Sequence, residues 1–329
     1  MSTMVAKASV PPKAAMDDVL ALLCPQCRRP SGSIDLFVSS QGPSVLLCEH
    51  CGFVLEQKNG VWRALTFEQE REYAEFLRDY ESIRLQEGRG SENSEFYRAL
   101  PFQDLTGNFS WQWKIRAKSY RVLEQKVLAK SDALRVLDLG AGNGWLSYRI
   151  ALQGHTPVAV DLSASAFDGL EAAHHYSEVL PCMFPRFQAA MDCLPFADEQ
   201  FDLAIFNASF HYSADYSKTL IETKRCLRHG AAIVIMDSPT YSKLESGMAM
   251  KRERHEAFCE KYGFSSDRMA SQEFLTPEIM DDLSRLGILW RKIQPWYGLS
   301  WAMRPWIAHW KGRREPSQFF LYIGYVVKS

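Results

Sequence analysis

The segment Val136–Trp145 most constrains the fold, because an apolar run ends there in an acid that three spaced glycines follow. Asp138 closes the run, and Gly140, Gly142 and Gly144 stand at alternate positions after it. Glycines at a strand-to-helix turn permit positive φ and let a ligand approach the backbone closely. The pattern predicts the first βα turn of an open α/β sheet, with a ligand at its tip.

A second acid follows at the tip of the next expected strand. The apolar run Pro157–Val160 ends in Asp161, seventeen residues after Gly144. A carboxylate in this place is positioned to accept hydrogen bonds from a ribose diol. The dinucleotide fingerprint G-x-G-x-x-G does not fit, because Trp145 stands where its last glycine would be. Asp138 would also repel a pyrophosphate, whereas it suits a ligand with ammonium and sulfonium charges.

At these residues the chain resembles the class I S-adenosylmethionine (SAM)-dependent methyltransferases of the type 11 group. The similarity continues through the acidic loop 189–202 and the strand end Asn207–Tyr212, and it covers roughly residues 110–240. It implies an α/β fold with a Rossmann-like seven-stranded sheet, closed by an antiparallel pair near 288–294 and 318–327. A dehydrogenase or a binding protein on a similar sheet is the alternative.

The resemblance implies how the strand ends hold SAM. The glycines would run beneath its methionine part, and the two strand-end acids would bind the amino group and the ribose. Asp192 with the backbone of Cys193 would read the adenine, between Leu194 and Phe196. Trp113, Lys114 and Arg116 precede the first strand, where related enzymes place residues that cover the cofactor carboxylate; an amphipathic helix without a further role is the alternative. Each acid has the alternative of a helix cap or a turn residue. The expected cofactor residues are Asp138, Gly140, Gly142, Gly144, Asp161, Leu162, Asp192, Cys193, Asn207 and Trp113.

Three polar residues follow the expected fourth strand, beside the expected methyl position: Asn207, His211 and Tyr212. Methyl transfer is an in-line displacement at carbon, so positioning and exclusion of water dominate its catalysis. An acceptor that carries a proton also needs a base, and the ordinary pKa of histidine lies closest to neutral. His211 is therefore the candidate base, and its alternative is a pocket residue that exchanges no proton.

Two C-x-x-C knuckles lie near the N-terminus, separated by twenty residues. They consist of Cys24 with Cys27 and Cys48 with Cys51. The spacing is typical of a zinc ribbon, in which four thiolates surround one tetrahedral ion. Such a site has no open position for a substrate, so the zinc would be structural. Disulfides are the alternative, which a cytoplasmic location disfavours.

Around the knuckles, the segments Leu22–Cys27 and Leu47–Gly52 resemble the small zinc-ribbon activator subunit of tRNA and release-factor methyltransferases. That resemblance implies a module that stabilises a methyltransferase, fused here to its partner. The expected organisation is a disordered lead at 1–19, the zinc ribbon at 20–64, a helical linker and cap at 65–130, and the methyltransferase domain at 131–329, with a variable insertion at about 239–287.

The variable segments are expected to select the substrate. Residues 290–310 hold five of the nine tryptophans and lead into a basic stretch that ends at Arg314. Such a segment can rest peripherally on a membrane, line an apolar pocket, stack on RNA bases, pack under the ribbon or form a dimer contact. The charged run Lys251–Glu256 is typical of a solvated helix face. No apolar run is long enough to span a membrane, and we expect a cytoplasmic protein.

Three classes of function stay open. The leading expectation is a SAM-dependent methyltransferase that acts on a small-molecule or lipid-like acceptor. The first alternative is an RNA- or ribosome-directed methyltransferase that grips its substrate with the ribbon. A net charge of −1 over 329 residues gives no overall electrostatic support for that alternative. The second alternative is a non-catalytic SAM-fold scaffold, and the complete set of cofactor residues argues against it.

Overall fold

The computed structural model describes residues 18–37, 44–263 and 270–326. Its strands are β1 (Val19–Leu23), β2 (Pro30–Asp35), β3 (Val45–Leu47), β4 (Val54–Lys58), β5 (Val61–Arg63), β6 (Arg135–Leu139), β7 (Thr156–Asp161), β8 (Arg186–Gln188), β9 (Phe201–Asn207), β10 (Leu227–Met236), β11 (Ile288–Ile293) and β12 (Leu321–Val326). Its α-helices are α1 (Phe67–Gln86), α2 (Ser94–Ala99), α3 (Ser110–Lys126), α4 (Trp145–Leu152), α5 (Tyr216–Cys226), α6 (Leu244–Tyr262), α7 (Pro277–Ser284), α8 (Leu299–Ala302) and α9 (Arg304–Trp310). The lead expected at 1–19 falls on residues 1–17, which lie outside the described residues, and Val19 already begins β1.

The main sheet of the described chain has the strand order β11-β12-β10-β9-β6-β7-β8-β5-β4-β3. Strands β8, β7, β6, β9 and β10 run parallel to one another. Strand β12 is antiparallel to both β10 and β11. These seven strands confirm the expected Rossmann-like sheet and its antiparallel closing pair.

The central strands are buried on both faces, as helices on both sides of a parallel sheet require. Every residue of β6 is buried. Leu137 packs into the apolar cluster on one face and Val136 into the cluster on the other. Replacing Leu137 by Ala would destabilise the protein by about 2–5 kcal/mol, because the neighbouring side chains cannot fill the cavity. The packed core thus holds the strand ends at fixed positions.

The cysteine-rich segment is hydrogen-bonded to the main sheet and is not a separate module on a linker. Strand β5 pairs in parallel with β8, with Trp62 opposite Phe187 and Arg63 opposite Gln188. Strands β4 and β3 extend the sheet beyond β5 in antiparallel fashion. Strands β1 and β2 form a separate antiparallel pair. The boundary predicted at residue 64 therefore lies directly after a strand of the main sheet.

The segment 65–130, expected to be a helical linker and cap, contains the helices α1, α2 and α3. Helix α1 begins at a capping box, in which Thr66 Oγ1 accepts from the Gln69 N–H and Gln69 Oε1 accepts from the Thr66 N–H. Helix α3 buries one face in the core, whereas α1 has no buried residue. Helix α1 therefore lies on the surface, and its position depends on the side-chain contacts described below.

Candidate functional site

The glycine-rich turn between β6 and α4 packs against the loop that follows β9. Gly140, Gly142 and Gly144 have φ of +73°, +55° and +75°, a region that residues with a side chain disfavour. A Cβ added to Gly140 would lie 2.2 Å from the Cβ of Ser209. The first glycine is therefore required by the close approach of the two backbones as well as by its φ.

Asp161 ends β7 and holds this turn. Its Oδ2 accepts from the Gly142 N–H at 2.8 Å, and its Oδ1 accepts from the Ser163 N–H at 2.7 Å. Each carboxylate oxygen keeps a second lone pair, so Asp161 can also accept hydrogen bonds from a ribose diol. Burial raises the pKa of Asp161, and the two N–H donors oppose the shift. A turn role and a ligand role are thus compatible in this residue.

Three acceptor atoms at neighbouring strand ends have no hydrogen-bond partner among the described residues. They are Asp138 Oδ1 on β6, Asn207 Oδ1 on β9 and Asp237 Oδ2 directly after β10. The other oxygen of Asp138 accepts from Ser147 Oγ at 2.7 Å, and burial raises the pKa of Asp138 to about 7. A buried acceptor without a donor is costly. This edge therefore suits a ligand that brings donors, such as an ammonium group.

Asp237 is a site residue that the sequence analysis missed. It is buried and has a left-handed φ of +55°. Ser119 on α3 donates to its Oδ1, and the hydroxyl of Tyr297 lies 2.8 Å from Ser119 Oγ. Burial raises the pKa of Asp237. An acid at the end of an apolar run also marks Asp138 and Asp161, so the same signal could have identified Asp237.

The loop expected to read adenine lies after β8, and Asp192 Oδ2 there pairs with Lys218 Nζ at 2.8 Å. The next apolar residues, which were expected to sandwich the adenine ring, belong to the apolar core instead. Leu194 and Phe196 are fully buried, and Phe196 packs edge-on against Phe187 with ring centroids 4.9 Å apart. Apolar residues that bind a ligand and those that fill a core look alike in sequence.

The same loop is held by a residue of the first cysteine knuckle. Arg28 Nη1 donates to the carbonyl oxygen of Leu194 at 2.8 Å and lies 3.6 Å from Cys193 Sγ. Glu222 Oε1, on α5, accepts from the Leu194 N–H at 2.8 Å. The carbonyl oxygen and the N–H of Leu194 are thus both held by side chains from outside the loop.

Helix α1 covers the edge where these residues meet. Arg84 Nε lies 3.4 Å from Asp168 Oδ2, and Asp168 Oδ1 accepts from Asn143 in the glycine turn at 3.1 Å. Three turns earlier in α1, burial and then the charge of Asp192 raise the pKa of Tyr73 to about 12. The helix therefore extends from the Asp192 loop to the glycine turn. A helical cap was expected at 65–130, but the individual contacts of α1 were not predicted, because they join residues far apart in the chain.

Trp113 and Leu162 lie on either side of the turn. Trp113 is buried in α3, edge-on to Trp145 with centroids 5.9 Å apart. The carbonyl of Leu162 accepts from Gln188 Nε2 at 2.9 Å. The Arg116 guanidinium lies 4.7 Å from the Trp113 ring centroid, and it has no hydrogen bond or ion pair with the described residues. Arg116 therefore keeps its donors for an anionic ligand.

His211 is buried in the short 3-10 helix that follows β9, with its ring centroid 4.2 Å from that of Tyr212. Its Nδ1 lies 3.2 Å from Ser238 Oγ. Burial, and then the charges of Arg254 and Arg116, lower the pKa of His211 to about 3. A group with this pKa is a poor proton acceptor near neutral pH. Burial and the lowered pKa therefore favour a pocket residue, and a role of His211 as the base stays a prediction.

The charged run on α6 is solvated only in part. The nitrogen atoms of Lys251, Arg254 and His255 lie 3.8, 3.4 and 2.8 Å from the carboxylate of Glu273, which is 1% exposed. The Glu273 N–H donates to the carbonyl oxygen of His211 at 2.9 Å, and Glu273 has a φ of +68°. A buried carboxylate therefore ties α6 to the His211 segment, in contrast to the solvated face that was expected.

The four knuckle cysteines come together as the spacing predicted. All their Sγ atoms lie within 4.8 Å of one another, with 3.5 Å between Cys24 and Cys51 and 3.6 Å between Cys27 and Cys48. A tetrahedral ion with Zn–S bonds of about 2.3 Å separates its sulfurs by about 3.8 Å. The donor set therefore fits a closed zinc site.

Comparison with known proteins relates the chain to methyltransferases. Residues 137–235 match the family model described as a methyltransferase domain. Over 103 residues the chain is 33% identical to a malonyl-[acyl-carrier protein] O-methyltransferase of Erwinia pyrifoliae, covering 31% of this chain and 37% of that protein. Over 113 residues it is 32% identical to a tRNA 5-carboxymethoxyuridine methyltransferase of Escherichia coli, covering 34% and 43%. The chain thus spans less than half the length of these curated relatives.

Among solved structures, the 1,6-didemethyltoxoflavin-N1-methyltransferase of Burkholderia thailandensis, with bound 1,6-didemethyltoxoflavin and S-adenosylhomocysteine, has a TM-score of 0.49 and 14% identity. The alignment covers 90% of this chain and 96% of that chain.

Proposed function

We propose that the protein transfers a methyl group from SAM to a small-molecule or lipid-like acceptor, since residues 137–235 match the model of a methyltransferase domain. The carboxyl edge of the sheet carries the proposal. There Asp161 meets the glycine turn, and the buried oxygens Asp138 Oδ1 and Asn207 Oδ1 have no donor among the described residues. SAM would bring both an ammonium group and a ribose diol to these acceptors.

In this proposal the chain binds and orients the cofactor and keeps water away from it. Asp161 would hold the ribose, Asp138 the amino group, and the Asp192–Cys193 loop the adenine. Helix α1 would close over the edge, because Arg84 already contacts Asp168 beside the glycine turn. The residues that we assign to SAM are Asp138, Gly140, Gly142, Gly144, Asp161, Leu162, Asp192, Cys193, Asn207 and Trp113.

We further infer an acceptor that carries a carboxylate. Arg116 has no hydrogen bond or ion pair with the described residues, although the charges of Asp237 and Asp168 act on it. Arg116 and Arg254 are the cations whose charges lower the pKa of His211. Guanidinium groups bind carboxylates through paired hydrogen bonds. The two curated relatives are named for a malonyl group and a carboxymethoxy group. Charge and relatives thus support the same chemical class.

This acceptor class agrees with the low pKa of His211. The cofactor would supply a methyl group on a positively charged sulfur, and an ionised carboxylate oxygen can accept it without losing a proton. No general base is then required. We assign His211, Tyr212 and Asn207 to the lining of the acceptor pocket, where they would position the carboxylate and exclude water.

One observation favours a second candidate, the methylation of an RNA. The chain is similar to a relative that is named for a modified tRNA nucleoside. In that case the cysteine module would contact the RNA. A scaffold without catalysis is disfavoured, because the acceptors expected to bind SAM are present and two of them lack a donor.

We also propose that Cys24, Cys27, Cys48 and Cys51 hold a structural zinc ion. Four thiolates leave no position for a substrate, so the ion would stabilise the module and take no part in the chemistry. The distances between the sulfurs support this assignment.

Incubation with methyl-labelled SAM tests the acceptor class. The purified protein would be offered free carboxylic acids, acyl chains on a carrier protein, and total tRNA. We expect label in a product that mild alkali releases as methanol, because a methyl ester is hydrolysed there. Labelled methyl groups that resist alkali would contradict a carboxylate acceptor, and label only in tRNA would establish the second candidate.

A matched pair of variants tests the assigned arginine. Arg116→Met should raise the KM for the acceptor, on the order of tenfold, because it removes a charged hydrogen-bond donor. Lys114→Met changes an exposed charge in the same helix and should leave that KM unchanged. An equal effect of both changes would contradict the assignment of Arg116.

A further inference from the structure

The tryptophan-rich segment packs only in part, and this bears on an interaction surface. Trp301 is buried, stacks on Trp111 with centroids 5.6 Å apart, and donates from Nε1 to Gln318 Oε1 at 3.1 Å. Trp296, Trp306 and Trp310 are exposed. The segment was expected to pack under the zinc ribbon, whereas Trp301 packs on α3 and against Gln318. The other face of the segment stays open.

The open face is a continuous apolar stripe. Helices α8 and α9 are separated by Met303, whose backbone is itself helical with φ −81° and ψ −12°. At 100° per residue, the stripe residues fall within an arc of about 100°. They are between 44% and 86% exposed, and they are Leu299, Met303, Trp306, Ile307 and Trp310.

The polarity of this helix is inverted relative to an ordinary surface helix. Arg304 turns towards the protein, where its guanidinium lies 4.0 Å from the ring centroid of Trp301. The large apolar side chains turn to the solvent. A water-facing helix normally shows the opposite arrangement. An exposed apolar stripe of this kind marks a surface that binds a partner or a membrane.

The charge around the stripe selects the occupant. Residues 285–314 contain seven Lys or Arg and no Asp or Glu. Of these, Arg285 pairs with Asp282, Arg314 pairs with Glu253 and Arg304 turns towards the protein. Lys311 and Arg313, directly after the stripe, are exposed. A second copy of this face would bring cations against cations, whereas an anionic lipid surface is complementary to it. Tryptophan is also the residue that favours the boundary between headgroups and acyl chains.

We propose that the stripe docks this protein onto an anionic lipid bilayer, with tryptophans at the depth of the headgroups. Among the described residues no helix is long and apolar enough to cross a membrane, so the contact is one of surface docking. The stripe helix connects to the carboxyl edge, because Tyr297 before it lies 2.8 Å from Ser119, the residue that donates to Asp237. Docking would therefore bring the candidate site near the lipid surface.

Vesicle sedimentation with the full-length protein tests the proposal without any assay of methyl transfer. Vesicles of phosphatidylcholine alone are compared with vesicles that also contain phosphatidylglycerol. We expect binding to the mixed vesicles that weakens as salt is added, because salt screens the basic residues. The double variant Trp306→Ser, Trp310→Ser should bind at least on the order of tenfold more weakly than the parent, since each tryptophan contributes a large apolar area.

Two further variants complete the test. The double variant Leu152→Ser, Val179→Ser removes exposed apolar side chains elsewhere and should bind like the parent. The double variant Lys311→Glu, Arg313→Glu should lose the preference for phosphatidylglycerol. Circular dichroism verifies that each variant is folded. Equal binding of the parent and the tryptophan variant would overturn the proposal. A parent protein that does not bind vesicles would also overturn it, including the case in which sedimentation velocity shows that the stripe forms a dimer.

Discussion

Arg28 of the first cysteine knuckle and Glu222 of α5 form an ion pair, with 2.6 Å between Nη2 and Oε1. Both residues also hydrogen-bond to the backbone of Leu194. The Arg28 N–H donates to the carbonyl of Cys24 at 2.9 Å, and its φ is +61°. The closed knuckle therefore sets the direction of the guanidinium, which in turn holds the loop assigned to adenine.

Arg28→Met should weaken SAM binding roughly fivefold. The change removes a partly exposed ion pair and its bond to Leu194, together about 1 kcal/mol. Isothermal titration calorimetry measures the effect. Arg29→Met is the matched control, because the side chain of the neighbouring Arg29 is exposed and its Nη1 lies 2.9 Å from Nδ1 of the exposed His50. A loss of affinity in both variants, or in neither, would contradict the role of Arg28.

Removal of the metal should reproduce the Arg28 effect. We expect about one equivalent of zinc per chain, because four thiolates fill the coordination of one ion. Chelation with the thiols kept reduced should release the knuckle and lower SAM affinity before the core sheet unfolds. Metal analysis measures the zinc content, and calorimetry measures the SAM affinity. Hydrogen exchange of residues 18–63 follows the release of the knuckle. Full SAM affinity of the metal-free protein would contradict the claim that the knuckle holds the loop assigned to adenine.

Features written in short contiguous motifs were predicted, and features built from distant residues were not. The glycine turn, the acids at strand ends and the four cysteines each show their chemistry within a few residues. Arg28 and Glu222 are 194 positions apart, and Arg84 meets Asp168 only because α1 crosses the sheet edge. No local pattern encodes such contacts, since they depend on how whole elements pack.

Burial explains the expectations that the structure corrects. Leu194 and Phe196 have the apolar character of ligand contacts, yet both are buried in the core. His211 has the right residue type for a base, but burial, and then the charges of Arg254 and Arg116, lower its pKa. Residue type thus predicts which chemistry is available at a position, and packing decides whether that chemistry is used.

Asp161→Ala should weaken SAM binding by about tenfold to a hundredfold, because a charged acceptor of ribose hydrogen bonds is lost. Part of the loss arises from the Gly142 N–H, which Asp161 also holds. Calorimetry gives the affinity and circular dichroism the fold. Asp198→Ala, at an exposed carboxylate paired with Arg225, should bind SAM normally. Unchanged affinity in the Asp161 variant would reject the ribose assignment.

His211→Asn should make stability less dependent on pH between about 6.5 and 3. The folded pKa of His211, about 3, lies below its ordinary value of 6.5. The unfolded chain therefore takes up a proton first as the pH falls. Stability from the neutral ring is fully present above 6.5 and is lost towards 3, with a slope of up to about 1.4 kcal/mol per pH unit.

Denaturant titrations of parent and variant at several pH values measure this difference. Comparison with the parent cancels the contributions of the buried acids, whose raised pKa values act in the opposite direction. His211→Asn should also retain methyl transfer with an unchanged pH profile near neutrality. A variant that binds SAM normally but loses turnover together with the pH dependence of the parent near neutrality would restore His211 as the base.

Calorimetric titration of the zinc-loaded protein with SAM, and separately with NAD, tests the central claim most directly. We expect one SAM site with a dissociation constant in the micromolar range, because the acceptors beside the glycine turn have no donor among the described residues. We expect no binding of NAD, because the third glycine of the dinucleotide fingerprint is missing. Binding of NAD in place of SAM, or of neither, would contradict the assignment of this edge to a methyl donor.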